Sequence, residues 1–224
     1  MSANGYWIEP VESAPFAEVS YLLWLDGNSE ALVVDPGFEP DAILSIVRRE
    51  HLEIVAILNT HGHVDHIAGN AEMKRAFPAA PLVIGRNEAS LLSDPQLNLS
   101  LAFGGGFTSP PAEVLLDEGE TYQAGGFSFE ILEIPGHSPG SIVYLCKQFA
   151  PAFAFGGDVL FAGSVGRTDL GGNTKILLEG IKSKLLTLPE DTVIYPGHGS
   201  VFTIAREKKH NPFVGEHAGL YGLE

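Results

Sequence analysis

One stretch of the chain gathers side chains able to hold a cation: Thr60-His61-Gly62-His63-Val64-Asp65-His66. His61 and His63 are two residues apart, so from an extended loop they can converge on one point. Asp65 and His66 are adjacent, point away from each other, and can serve a different point. The spacing therefore suits two metal ions rather than one. Neutral imidazole and carboxylate suit borderline or hard divalent ions such as zinc, iron or manganese. A lone histidine here would read as an ordinary polar residue capping a helix, but chance is a poor explanation for the whole pattern.

A second ion needs more donors, and three candidates stand out. His137 lies in Pro135-Gly136-His137-Ser138-Pro139-Gly140, Asp158 closes Phe155-Gly156-Gly157-Asp158, and His198 lies in Tyr195-Pro196-Gly197-His198-Gly199. Each follows a predicted strand and sits beside glycines that let the backbone approach closely. Taken singly, each is an ordinary turn residue. Together with the first cluster they place five histidines and two aspartates at one rim. His51, His210 and His217 lack this setting and read as solvated.

These residues need strands that end where they stand. Apolar runs predict strands over Glu18–Leu25 and Ala31–Val34, paired across an Asp26-Gly27-Asn28 turn, and a buried strand over Ile54–Leu58. Further strands are expected at Leu82–Ile84, Glu113–Leu116, Phe127–Ile134, Ile142–Leu145, Ala152–Phe155 and Thr192–Tyr195. Helices are expected from Pro40, from about Ile67 to Phe77, along the Leu177/Ile181/Leu185/Leu188 stripe, and over Arg206–His210. Lys208 and Lys209 then read as a solvated helix end. Ser93–Pro111, with Gly104-Gly105-Gly106 and Pro110-Pro111, has no period and reads as a surface connector or a flap over the site. Mixed strand and helix order indicates a layered α/β domain, with ligands at the carboxyl ends of strands.

The chain has 224 residues, 45% apolar and 18% charged, enough for a sizeable core and against disorder. We expect one domain over 1–224, with a short C-terminal extension from about 203. The formal charge of −15 disfavours a nucleic-acid partner. Cys146 is the only cysteine, so no internal disulfide forms; within a predicted strand it reads as core rather than nucleophile. The start lacks a basic, then apolar, leader pattern, and the apolar runs are too short to span a bilayer. The expectation is a cytoplasmic protein that acts on a small molecule, without membrane partners.

The His-x-His-x-Asp-His cluster, the Gly-His-Ser-Pro-Gly turn, the Gly-Asp strand end and the Pro-Gly-His-Gly turn occur in that order after Val33-Val34-Asp35-Pro36-Gly37. This series resembles the metallo-β-lactamase superfamily along essentially the whole chain. The resemblance implies a four-layer αββα sandwich with a metal site at one edge of its two sheets. By position it implies that His61, His63 and His137 hold a first metal, that Asp65, His66 and His198 hold a second, and that Asp158 bridges them. It also implies that Asp35 orients the ligands, although a turn aspartate before Pro-Gly would look the same. Leu160–Asp169 and Arg206–Phe213 are similar to short bacterial type II members of the glyoxalase II group. That similarity implies a thioester hydrolase, acting for example on S-lactoylglutathione, with two divalent ions, zinc ahead of iron or manganese.

The expected chemistry is hydrolytic. Two ions sharing a water lower its pKa from about 15.7 toward 7. The hydroxide attacks the thioester carbonyl, and a thiolate leaves with little need of a general acid, because thiol pKa values lie near about 8.5. Asp65 is first a ligand, and second a proton shuttle. Arg167 is a candidate to hold a substrate carboxylate through bidentate pairing; a structural salt bridge is the competing reading. Gly166-Arg167-Thr168-Asp169 also resembles persulfide dioxygenases, which would use a single iron on His61, His137 and Asp158. Weak β-lactamase or lactonase activity is a further alternative. A non-enzymatic binding module would require lost ligands, and none is lost.

Overall fold

The computed structural model describes residues 5–218. In chain order the elements are β1 (Tyr6–Ser13), β2 (Glu18–Leu25), β3 (Glu30–Val34), α1 (Pro40–Arg49), β4 (Glu53–Leu58), α2 (Val64–Ile67), α3 (Asn70–Ala76), β5 (Leu82–Gly85) and β6 (Val114–Leu116). They continue with β7 (Thr121–Ala124), β8 (Phe127–Glu133), β9 (Ile142–Cys146), β10 (Phe153–Gly157), the small hairpin β11 (Leu160–Phe161) and β12 (Ser164–Val165), α4 (Thr174–Gly180), β13 (Val193–Pro196), β14 (Phe202–Thr203) and α5 (Ile204–His210).

Two six-stranded sheets form, in the orders β1-β2-β3-β4-β5-β6 and β14-β13-β10-β9-β8-β7. The period-two alternation of the strands divides their apolar residues between layers. Tyr21 and Leu23 of β2, Leu32 and Val34 of β3 and Leu58 of β4 face the other sheet, where they meet Phe129, Tyr144, Cys146 and Phe155. Their neighbours Leu22, Trp24, Ala31 and Val33 face outward onto Ile43, Ile46 and Val47 of α1 and Met73 of α3. On the far side, Val143, Leu145 and Ala154 of the second sheet are covered by Leu177, Ile181 and Leu185. The result is helix, sheet, sheet, helix, because each sheet has two apolar faces to cover. β3 to β6 run parallel, and their short strands, apolar apart from Glu30 and Glu53 at the starts of β3 and β4, suit burial on both faces. Cys146 lies in the core between the sheets.

Some elements depart from the sequence expectations. β1 was not expected, because Glu9, Pro10 and Glu12 interrupt any apolar pattern; it pairs with β2 along its whole length and lies at the sheet edge, where proline is tolerated. The helix expected from about Ile67 to Phe77 forms as α3, and a separate short helix that was not expected, α2, precedes it. Between them Gly69 presses on the Pro36-Gly37 backbone and donates its N–H to the Pro36 carbonyl at 2.7 Å. A Cβ on Gly69 would lie 2.8 Å from the Gly37 oxygen and 2.9 Å from the Pro36 oxygen. Gly69→Ala is therefore expected to cost about 1–3 kcal/mol by overpacking, read as a lower melting temperature by calorimetry; an unchanged melting temperature would show that this contact yields freely. The stripe from Leu177 starts as α4 and closes in a wider turn over Ile181–Leu185.

Residues 93–111 hold two short features, a helical turn over Ser100–Phe103 and a fixed anchor at Asn98. The Asn98 side-chain amide donates to the Leu91 and Phe107 carbonyls at 3.1 and 3.0 Å, and its backbone oxygen accepts the Val64 N–H at 2.9 Å. The segment is thus tied to the start of α2. The part expected as a C-terminal extension is built into the third layer: Phe202, Ile204 and Val214 join the core there. Residues 219–224 of that part lie outside the described residues.

Candidate metal centre

All seven predicted donors meet at one end of the sandwich, where β4, β8, β10 and β13 deliver their chain ends. His61 and His63 lie in the loop after β4, and Asp65 and His66 lie on α2. His137 follows β8, Asp158 follows β10 and His198 follows β13.

His61 Nε2, His63 Nδ1 and His137 Nε2 form a triangle with sides of 3.1, 2.9 and 3.3 Å. Nitrogens bound tetrahedrally to zinc at about 2.0–2.1 Å stand roughly 3.3 Å apart, so the triangle is close to the size one ion needs. The opposite edge of each ring fixes which nitrogen is bare. Asp35 accepts from the Thr60 N–H at 2.7 Å and from the Thr60 hydroxyl at 2.6 Å. With its proton so committed, Thr60 Oγ1 accepts from His61 Nδ1 at 3.1 Å. His137 Nδ1 donates to the Arg167 carbonyl at 2.8 Å. Both rings therefore present an unprotonated Nε2 to the centre. Burial, reinforced by neighbouring imidazoles, pushes the pKa of His61 well down and that of His63 to about 3.

The second set is organised by carboxylates. His66 Nδ1 donates to Asp35 Oδ2 at 3.0 Å, which turns its Nε2 toward Asp158 Oδ1 at 3.3 Å. His198 Nε2 lies 3.4 Å from both Asp65 Oδ2 and Asp158 Oδ2. Asp158 Oδ2 also lies 3.5 Å from His137 Nε2, so this carboxylate stands between the two sets. Burial opposes charge on all four groups, yet mutual attraction prevails: the carboxyls of Asp65 and Asp158 are held below the usual range, His66 is raised, and His198 is pushed up to about 10. Asp35, with its backbone at φ +47°, thus touches the loop that carries His61 and the ring of His66.

Two atoms test the fit of a cation. His66 Nε2 and Asp158 Oδ1 are buried, face each other, and have no hydrogen-bond partner. Buried polar atoms seldom go unpaired, and this pair consists of two electron-donating atoms of metal-ligand type. The donor chemistry and the orphaned atoms both fit divalent metal. The compatible groupings are His61/His63/His137, His61/His66/Asp158 and Asp65/His66/His198.

Sequence reasoning missed the buried glutamates, two of which stand against the donor loops. Glu88 accepts the Gly62 N–H at 2.8 Å on one oxygen, and the Ser138 hydroxyl at 2.8 Å and Gly140 N–H at 2.6 Å on the other. It clips the loop of His61 and His63 to the loop of His137. Burial raises its pKa while these three donors pull it back. Glu18 is also wholly buried, accepts from Ser13 and Ser20, and is raised well above the carboxylate range by burial. No spacing marks either residue; a lone glutamate beside a strand usually faces water.

Above the donors lies a cavity of about 330 Å³, open to solvent. Arg167 lines it, but its guanidinium is bound by the Asp169 carboxylate through two contacts, at 2.8 and 2.7 Å. This is the salt-bridge geometry weighed above against a substrate anchor. The wall carrying Ser164 is secured from behind: Glu207 accepts the Gly163 N–H at 2.8 Å, and Asn211 donates to the Ser164 carbonyl at 3.0 Å.

Comparisons with known proteins identify the family. The sequence profile of the metallo-beta-lactamase superfamily matches residues 14–198. The hydroxyacylglutathione hydrolase GloC of Haemophilus influenzae is 35% identical over 215 residues, 92% of this chain and 97% of its own. Among solved structures, the BLEG-1 B3 metallo-beta-lactamase superposes with a TM-score of 0.88 at 39% identity, over 93% of this chain and 99% of its own. TTHA1623 in a di-iron-bound form superposes with a TM-score of 0.79 at 35% identity, over 92% of this chain and 99% of its own.

Proposed function

The chain belongs to the metallo-beta-lactamase superfamily, and from that premise we propose that it is a two-metal hydrolase of small thioesters, of the glyoxalase II type. In this reading His61, His63 and His137 hold one cation, Asp65, His66 and His198 hold the other, and Asp158 serves both. The observation that carries it is the placement of Asp158: its two oxygens reach His66 on one side and His137 and His198 on the other. Bound there, a pair of divalent ions, zinc ahead of iron or manganese, would supply an acidified water and polarise a carbonyl.

The chain's own residues do the rest. Asp35 and the Arg167 carbonyl keep His66 and His137 from rotating. Asp65, at the cavity floor beside His198, stands where it can receive a proton as the tetrahedral species collapses. Arg167, if Asp169 releases it, is the cation available at the mouth for a substrate carboxylate. The GloC relative supports the thioester as substrate, and a cytoplasmic role on a small molecule accords with a lone buried thiol. Among the described residues, no helix is long and apolar enough to cross a membrane.

Elemental analysis and an assay with S-D-lactoylglutathione test the reading. Two equivalents of metal per chain are expected, with hydrolysis that EDTA abolishes and added zinc restores. Two other readings give different results. His61, His137 and Asp158 also compose a two-histidine, one-carboxylate set for a single iron; one iron per chain and oxygen uptake on a persulfide would favour a persulfide dioxygenase. Likeness to BLEG-1 raises β-lactam opening, expected only as a slow side activity. A metal-free protein that EDTA does not affect would sink all three.

A further inference from the structure

We propose, resting on the thioester-hydrolase reading, that the natural substrates are thioesters with neutral, apolar groups at the cavity mouth rather than anionic glutathione conjugates. Phe16, Leu99, Phe103, Phe161, Val165 and Leu170 line the cavity around the donors. Phe16 lies 4.8 Å from Phe103 and 5.9 Å from Phe38, centroid to centroid, so three rings form one rim. Phe103 is 57% exposed, Leu170 43% and Phe38 38%, a grouping of large apolar side chains that water does not favour. The rim does not rest on a loose loop, since Asn98 pins the segment that presents Leu99 and Phe103.

Charge points the same way. Among the described residues lining the cavity, Arg167 is the only arginine or lysine. Asp169 pairs with the Nε and Nη2 side of its guanidinium, so the mouth offers an anion a paired, largely neutralised arginine in place of a free cation. The whole chain carries a formal charge of −15, which repels anions at long range. Cations held by the seven donors would add positive charge at the cavity floor but not at its rim. A glutathione conjugate would bring two carboxylates to an apolar rim; an acyl chain would bring methylenes.

The test compares S-hexanoyl-N-acetylcysteamine with S-D-lactoylglutathione on the metal-loaded protein. Each methylene buried against the rim contributes roughly fourfold, so kcat/KM for the hexanoyl thioester is expected to exceed that for the glutathione conjugate at least about tenfold. Phe103→Ala should reduce this ratio about tenfold, mainly through KM; at an exposed position it leaves the fold intact. Asp169→Asn should narrow the ratio from the other side by freeing Arg167. Equal or better turnover of the glutathione conjugate, or a ratio that Phe103→Ala does not move, overturns the proposal. If neither thioester is cleaved, the hydrolase reading fails by itself. Calorimetric binding of S-hexyl-N-acetylcysteamine against S-methylglutathione then decides the pocket question: preference for the first supports an apolar mouth, and no preference rejects it.

Discussion

Replacing Asp158 with alanine is expected to leave the protein with fewer than two equivalents of metal and to lower kcat/KM on a thioester about a thousandfold or more. Asp158 is the carboxylate that reaches both donor sets: one oxygen lies 3.3 Å from His66, and the other lies 3.5 and 3.4 Å from His137 and His198. Without it, the first set keeps three imidazoles and no carboxylate, the second keeps Asp65 with two imidazoles, and the charge that holds two cations close together is gone. Asp158→Asn keeps the shape but removes the anion, so its metal content should fall between the two. The metal-free protein should melt at a lower temperature in both variants, since the Asp158 carboxylate balances His66 and His198 and its loss leaves those buried rings without their partner. Elemental analysis and steady-state kinetics on the same preparations decide the matter. Two bound metals with near-normal turnover in Asp158→Ala would refute the shared role.

Glu88→Ala should have the largest effect on stability of any single change outside the hydrophobic layers. It removes the acceptor of two buried backbone N–H groups and a buried hydroxyl, and leaves a void. Each unpaired donor costs about 1–3 kcal/mol and the terms are not additive, so a total of about 3–5 kcal/mol is reasonable. For a domain of this size that corresponds to a fall in melting temperature of roughly 10 °C. Glu88→Gln preserves volume but presents an amide N–H to one of the donors, and should lose about half as much. The consequence reaches the metal, because Glu88 joins the loop of His61 and His63 to that of His137. The first cation should therefore bind more weakly in both variants while the Asp65/His66/His198 set is less affected, a split visible by cobalt titration. Melting temperatures within about 1 °C of the parent protein would show that the loops do not depend on this carboxylate.

The donor residues were legible because metal chemistry restricts residue type and because their loops follow strands that also carry a signal. His61, His63, Asp65 and His66 form a local pattern, and the apolar run Ile54–Leu58 before them reads as a buried strand. His137, Asp158 and His198 each looked ordinary alone; only their common position after strands, beside glycines, made them a set. The sheet edges were less legible. β1 alternates imperfectly around Glu9, Pro10 and Glu12, and its pairing with β2 is decided by the neighbour rather than by its own propensity. The break at Gly69 was hidden for a similar reason: it arises from a contact with Pro36 and Gly37, more than thirty residues away in the chain.

The sequence by itself thus determined which side chains could bind metal, which strands present them, and the family to which the chain belongs. Tertiary structure alone decided that Glu88 ties two metal loops together, that Asp169 occupies Arg167, and that Phe16 and Phe103 meet at the cavity rim. Residue type and local spacing record which chemistry a side chain can perform. Whether a charge is neutralised, a carboxylate buried or two rings brought into contact depends on neighbours distant in the chain, and those are fixed only when the sheets close on each other.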